Sequence, residues 1–191
     1  MNDFKETKCV IGTVRFSYVH VWEPASIGDD ANAKKKYSVS LIIPKNDTKS
    51  VNAVKAAIQN ALNAGIGKFG GKIPAVWKNP LRDGDTERPD DEAYKGCYFI
   101  NATSQSKPGV VNIQRQPIME QDEFYSGCYG YASVNFFAFN TNGNKGIACG
   151  LNHLMKTKDG ESLGGKSTAE ADFAGIDIPF EPSDDSTDDL F

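Results

Sequence analysis

The chain is short of the residues that do metal and nucleophilic chemistry. It has two histidines, His20 and His153, far apart, and four cysteines, Cys9, Cys97, Cys128 and Cys149, with no CxxC pair among them. A structural zinc site needs four such ligands at short spacings and a redox motif needs neighbouring thiols, so no metal and no disulfide is expected. Several of the cysteines fall in apolar stretches, which reads as buried thiols in a reducing compartment. Neither a GxSxG elbow nor a clear Cys/His pairing is present. Long hydrophobic runs are missing too. The opening MNDFKETKCV is too polar for a signal peptide, and no window approaches the roughly 20 apolar residues of a membrane span. The expectation is a cytoplasmic protein with no membrane partner.

What the chain does have is enough apolar substance for one domain with a core: 191 residues, 39% of them hydrophobic, with 11 Phe, 7 Tyr and 2 Trp. Its formal charge of −4 conceals an asymmetry. After Lys166 come eight acids (Glu170, Asp172, Asp177, Glu181, Asp184, Asp185, Asp188 and Asp189) and no base. Residues 1–166 therefore keep all 21 bases against 17 acids. A basic body, residues 1–166, carries an acidic appendage, residues 167–191, expected to hold a short helix and then a disordered tail.

Within the body, residues 125–140 (YSGCYGYASVNFFAFN) alternate most regularly. In a strand, Cys128, Gly130, Ala132, Val134, Phe136 and Ala138 share one face, and Tyr129, Tyr131, Ser133, Asn135, Phe137 and Phe139 share the other. The small face suits a core. The ring-rich face suits either a second buried layer or a platform on which unpaired bases stack.

Elsewhere, residues 9–22 read as a long strand with Val10, Val14, Phe16, Tyr18 and Trp22 in one register. Residues 23–33 form a polar loop. Residues 34–44 alternate again, with Tyr37, Val39, Leu41 and Ile43 on one face and the basic, small Lys36, Ser38 and Ser40 on the other. Asn46 and Asp47 offer caps to a helix that runs to about Ala64, with Val51, Val54, Ile58 and Leu62 on its stripe and Gly65 at its end. Residues 65–93 lose regularity and read as loop, with Trp77, Lys78 and Arg82 close together as stacking and phosphate contact would need. Strands follow at 96–102, 110–115, 125–140 and 146–151, the last pair joined by the hairpin signal NTNGNKG. Six strands and one long helix imply a mainly β, antiparallel barrel or sandwich.

Two motifs compete for an enzymatic reading. GESLGGKS at residues 160–167 satisfies GxxxxGK[ST], but that phosphate loop works only between a buried parallel strand and a following helix, and only 24 residues remain after Ser167. The glycines read better as a connection into a short helix opened by a Ser167/Glu170 capping box. The acids Asp83, Asp85, Glu87, Asp90, Asp91 and Glu92 could hold magnesium for a nuclease, yet they lie in a loop without catalytic company and read as solvated.

The chain end DIPFEPSDDSTDDLF resembles single-stranded-DNA-binding proteins, whose acidic tails close in an apolar aromatic residue. The body resembles a phage family of such proteins through KYSVSLIIPK (36–45), DGD (83–85), YSG (125–127), SVNFFAF (133–139) and GNKGIACGLN (143–152), with Gly164 and Gly165 beyond. The resemblance implies an oligonucleotide-binding (OB) barrel that coats unpaired DNA with little sequence preference in phage replication or recombination, in the host cytoplasm. It implies no cofactor and no catalysis. One departure is that the long helix follows the second strand, where the simple five-stranded barrel places it after the third.

Residue chemistry supplies the expected interface. Lys36, Lys78, Arg82, Lys107 and Arg115 would hold phosphates, while Trp77, Tyr98, Tyr125, Tyr129, Tyr131 and Phe137 would stack bases, with Phe136 and Val134 in the core. Trp77 could equally plug the core. The tail, through Asp184, Asp185, Asp188, Asp189, Leu190 and Phe191, would compete with DNA for the basic surface. Displaced, it would recruit a polymerase, helicase or nuclease. The alternatives are a metal- or nucleotide-dependent enzyme acting on nucleic acid, and an acidic protein-interaction module that mimics DNA.

Overall fold

Five long strands close on themselves in the computed structural model, which describes residues 6–28, 32–164 and 169–176. Along the chain the elements are β1 (Lys8–Ala25), β2 (Lys36–Pro44), α1 (Thr48–Ala64), β3 (Arg82–Asp83), α2 (Gly84–Glu87), β4 (Cys97–Ser104), β5 (Gly109–Val111), β6 (Tyr129–Thr141), β7 (Asn144–Lys158) and α3 (Ala169–Phe173). Antiparallel pairing joins β4–β2, β2–β1, β1–β6 and β6–β7, and a short parallel pairing of β4 with β7 at Ala102/Cys149 and Thr103/Gly150 closes the ring. This circuit is that of the OB barrel. The long helix does lie between the second and third barrel strands, as its position in the sequence indicated.

Closure requires each strand to alternate between core and outside. β6 does so without interruption: Gly130, Ala132, Val134, Phe136 and Ala138 are buried, and the intervening residues face out. β1 does not. Its buried positions are Ile11, Val14, Phe16, Ser17 and Val21, while Val10 and Tyr18 stand 63% and 52% exposed. The single register expected for Val10, Val14, Phe16, Tyr18 and Trp22 is therefore wrong. Pairing shifts between Gly12 and Val14 and between Ser17 and His20 change which face the odd residues meet. Such bulges let an 18-residue strand bend around the barrel.

The Asp47 side chain accepts the Ser50 N–H and caps α1, whose buried stripe (Val51, Val54, Ala57, Ile58, Ala61, Leu62) packs on β1, β6 and β7. Gly65 ends the helix at φ −92°. Its small size matters more than backbone freedom, since a Cβ there would overlap that of Ala138.

Residues 65–93, read as loop, contain short elements that fold back on the barrel wall: a 3-10 turn at Ile66–Phe69, then β3 and α2. Tyr94, in a second 3-10 turn, buries its ring with Ile42 and Phe99 on the outside of β2 and β4, and its hydroxyl lies 3.0 Å from Ser40 Oγ. Ser40, expected on a DNA-facing surface, is therefore covered. The strand expected over 110–115 stops at Val111, because Asn112 Oδ1 accepts the N–H groups of Gln114 and Gln116 and turns the chain. β7 instead outruns its expected span by seven residues and ends at Lys158. The β6–β7 hairpin turns at Asn142 and Gly143, with φ of 51° and 83°, which Asn and Gly tolerate.

Candidate nucleic-acid interface

The outward row of β6 splits into two groups. At its start, Tyr129 lies between two cations: the Arg15 guanidinium is 5.3 Å and Lys158 Nζ 4.6 Å from its ring centre. Tyr131 follows on the same face, packed against Gly12. Tyr125 stands beside them with Lys156 Nζ 5.3 Å from its ring. The Tyr125 hydroxyl accepts the Gly160 N–H at 3.1 Å and reaches the Gly160 carbonyl at 2.9 Å, so its polar end is engaged in holding residues 159–160. Arg15 donates to the carbonyls of Gly127 and Glu161. This end of β6 is a basic, ring-lined surface crossed by a strap of the chain.

At the other end, Phe137 is 45% exposed and lies opposite Ala148. Beside it runs a cleft of about 710 Å³ across the outer wall of β4 and β7, lined by Lys78, Arg82, Asn101, Thr103, Phe139 and Ala148 among others. Its floor is polar or small because Asn101 and Thr103 occupy outward positions of β4 and Ala148 one of β7. The main chain of Lys78 clips to β7 by hydrogen bonds with Lys145 and Ile147, and this fixes the cleft's edge. OB barrels take oligonucleotides on the outer face of the second and third barrel strands; here the cleft lies on the third and fifth, and Tyr94 covers part of the second–third face.

The expected site residues are thus distributed unevenly. Lys78 and Arg82 share the cleft, with Phe137 on the adjoining outer face of β6; Tyr125, Tyr129 and Tyr131 gather at the strap. Lys107 sits between the two groups, 5.6 Å from the Trp22 ring, on a depression it shares with Lys8, Asn135 and His153. Trp77 is partly buried against the core. Tyr98 also packs on the core, under Lys45 and Lys55 at 5.3 and 6.0 Å. Lys36 stands at the start of β2 and Arg115 on the turn after β5 with φ 64°, neither in the cleft. The tail residues Asp184, Asp185, Asp188, Asp189, Leu190 and Phe191 lie outside the described residues.

Sequence reasoning missed Arg15, Tyr18, Arg88, Asn101, Phe139, Lys156 and Lys158. The last two sit beyond the expected end of their strand, and Phe139 was legible from the alternation that exposed Phe137.

Four acids of the 83–92 segment, Asp83, Asp85, Glu87 and Asp91, are engaged locally. Lys45 Nζ bridges Asp83 at 2.8 Å and Asp85 at 2.7 Å. The Lys45 hydrogen bond holds the Asp83 carboxyl below the usual range. Asp85 is held down first by the Gly96 N–H and then by Lys45. Glu87 takes Arg82 in a bidentate pair, and Asp91 caps the turn at Glu92. Among the described residues no three His, Cys, Asp or Glu are placed to hold a metal ion. Of the phosphate-loop string, Gly160 is tied to Tyr125 rather than opening a helix, and Lys166 and Ser167 lie outside the described residues. Burial pushes the Cys9 thiol up to about 11 and raises Cys149 further, which makes both poor nucleophiles.

A family model described as Enterobacter phage Enc34, ssDNA-binding protein, matches residues 7–190. Protein p50 of Acyrthosiphon pisum secondary endosymbiont phage 1 is 29% identical over 175 residues, which cover 86% of this chain and 91% of that one. Among solved structures, the single-stranded DNA-binding protein from bacteriophage Enc34 in complex with ssDNA has a TM-score of 0.66 at 26% identity, over 83% of this chain and 90% of its own. The gp2.5 single-stranded DNA binding protein encoded by bacteriophage T7 has a TM-score of 0.55 at 14% identity, over 85% and 98%, a likeness of fold.

Proposed function

The chain belongs to the family of the Enterobacter phage Enc34 ssDNA-binding protein, a non-enzymatic family, and from that premise we propose that it coats single-stranded DNA without sequence preference in phage replication or recombination. The observation that carries this reading is the placement of the cleft: exposed Phe137, partly buried Phe139 and the cation Lys78 converge on the outer wall of β4, β7 and β6, with Arg82 beside them in a pair with Glu87 that a phosphate would have to displace. Backbone phosphates would meet the cations while bases stack on the rings, so neither contact reads sequence. The strap end, with Tyr129, Tyr131, Arg15, Lys156 and Lys158, extends the same outer face. Some eight residues of β6 separate Tyr129 from Phe137, about 26 Å of strand, a span of several nucleotides.

In this reading residues 1–166 are the DNA-binding domain and residues 167–191 the regulatory appendage. The acidic tail competes with DNA for the basic surface. When DNA displaces it, Leu190 and Phe191 recruit a replication protein in the host cytoplasm. Titration of single- and double-stranded oligonucleotides at two salt concentrations tests the core of this. The expected result is preference for single strands and an affinity that falls with salt; preference for duplex overturns it. Deleting residues 177–191 is expected to tighten DNA binding and abolish partner binding, and a truncation that changes neither removes the tail mechanism while leaving DNA binding in place.

A further inference from the structure

Resting on that reading, we propose that a pocket beside the cleft is a seat for one unpaired base, built from Tyr18, Arg88, Ser38, Asn101 and Thr103. Tyr18 lies within the second irregularity of β1, between Ser17 and His20, at φ 47°, with its side chain exposed. Arg88 follows α2 and places its guanidinium 5.1 Å from the ring centres of Tyr18, Tyr94 and Phe99. Three rings pin the group, yet its single side-chain hydrogen bond among the described residues is a long one of 3.4 Å from Nη1 to the Tyr18 hydroxyl. Its Nε–H is buried under these rings without an acceptor among the described residues. An arginine has five N–H donors, and its terminal N–H groups, engaged among the described residues only by the Tyr18 hydroxyl, keep donors for a ligand.

The space these groups enclose is about 280 Å³. That is at the low end for a small-molecule site, about 300 Å³, and fits one ring system rather than a length of strand. Asn101 and Thr103 line both this pocket and the larger cleft, so a base can enter here from a strand lying there. The side chains of Ser38, Asn101 and Thr103 have no hydrogen-bond partner among the described residues, and they offer donors and acceptors to a base edge.

Charge decides between a base and a phosphate. On its far side Arg88 is ringed by Glu87, Asp90, Asp91 and Glu92. Glu87 is neutralised by Arg82, but the others would repel a phosphate brought to the guanidinium. A neutral base meets no such penalty and gains the stacking of Tyr18 and Arg88.

The test compares two oligomers of equal length, one of thymidines and one of abasic sugar-phosphate, on the full chain and on Tyr18→Ala and Arg88→Lys. Tyr18→Ala is expected to weaken thymidine binding about tenfold or more and abasic binding less than twofold, with Arg88→Lys following the same pattern. Equal weakening of both oligomers means the pocket holds backbone and overturns the seat, as does no change in either. Tyr18→Phe, which keeps the ring, is expected to retain most of the affinity and so separates stacking from misfolding. If the unaltered chain binds neither oligomer, it is the DNA-binding reading itself that fails.

Discussion

Gly12 on β1 lies flat against the ring of Tyr131 on β6, so close that a Cβ at position 12 would overlap the ring near Cγ. The glycine is what lets an aromatic lie along the barrel surface at this point. Gly12→Ala is expected to cost about 1–3 kcal/mol in chemical denaturation, the usual cost of overpacking. Adding Tyr131→Ala is expected to recover part of it. Full additivity of the two losses would show that the contact is not the cause.

The two rings Phe136 and Phe137 are neighbours in sequence with opposite roles. Phe136→Ala is expected to lower stability by about 3–5 kcal/mol, as for a buried ring. Phe137→Ala should leave stability within about 0.5 kcal/mol but weaken single-strand binding by about 1–3 kcal/mol. Denaturation and DNA titration of the two variants check the division.

Lys78 and Lys107 both stand where a strand would run, whereas Arg115 stands on a remote turn. Each lysine changed to Ala is expected to reduce the slope of log affinity against log salt by about 0.7. Arg115→Ala is expected to leave the slope unchanged, and an equal effect of all three would deny the cleft its role.

Lys45 between Asp83 and Asp85 makes the fold pH-sensitive at both ends. The two carboxyls are held below their ordinary values, so their contribution is present above about pH 4 and lost as pH falls through their lowered values in the fold. Lys45 is raised, so its contribution is full below about pH 10 and lost only at higher pH. Lys45→Met is expected to lower the melting temperature at pH 7, with the gap from the unaltered protein narrowing as pH falls below about 4. Melting curves across that range check it.

Tyr125→Phe removes the hydroxyl that binds Gly160 and Asp159. The expected loss is about 0.5–1.5 kcal/mol, with faster hydrogen exchange at the Gly160 amide. Unchanged exchange would show that the strap is held by Arg15, by the Lys156–Asp159 ion pair and by the Leu163 N–H on the Ser126 carbonyl instead.

Where one residue follows another at constant period, the sequence was a sufficient guide. β6 could be read to its faces because a closed barrel forces strict alternation, and α1 because its cap and its apolar stripe are local. The family strings and the charge divide at Lys166 were legible for the same reason: they are properties of order along the chain. β1 misled because a bulge changes parity without leaving a compositional mark.

The candidate base seat was invisible, since Tyr18, Ser38, Arg88 and Asn101 come from four segments brought together by closure. Trp77 was open between core and surface and Tyr98 was read as a stacking ring, and packing sets both partly against the core. The sequence by itself determined the mainly β barrel, the helix and the outward rings of β6. The tertiary structure alone decided which cations meet which rings, because electrostatic and stacking contacts depend on distance in space, which register and closure set.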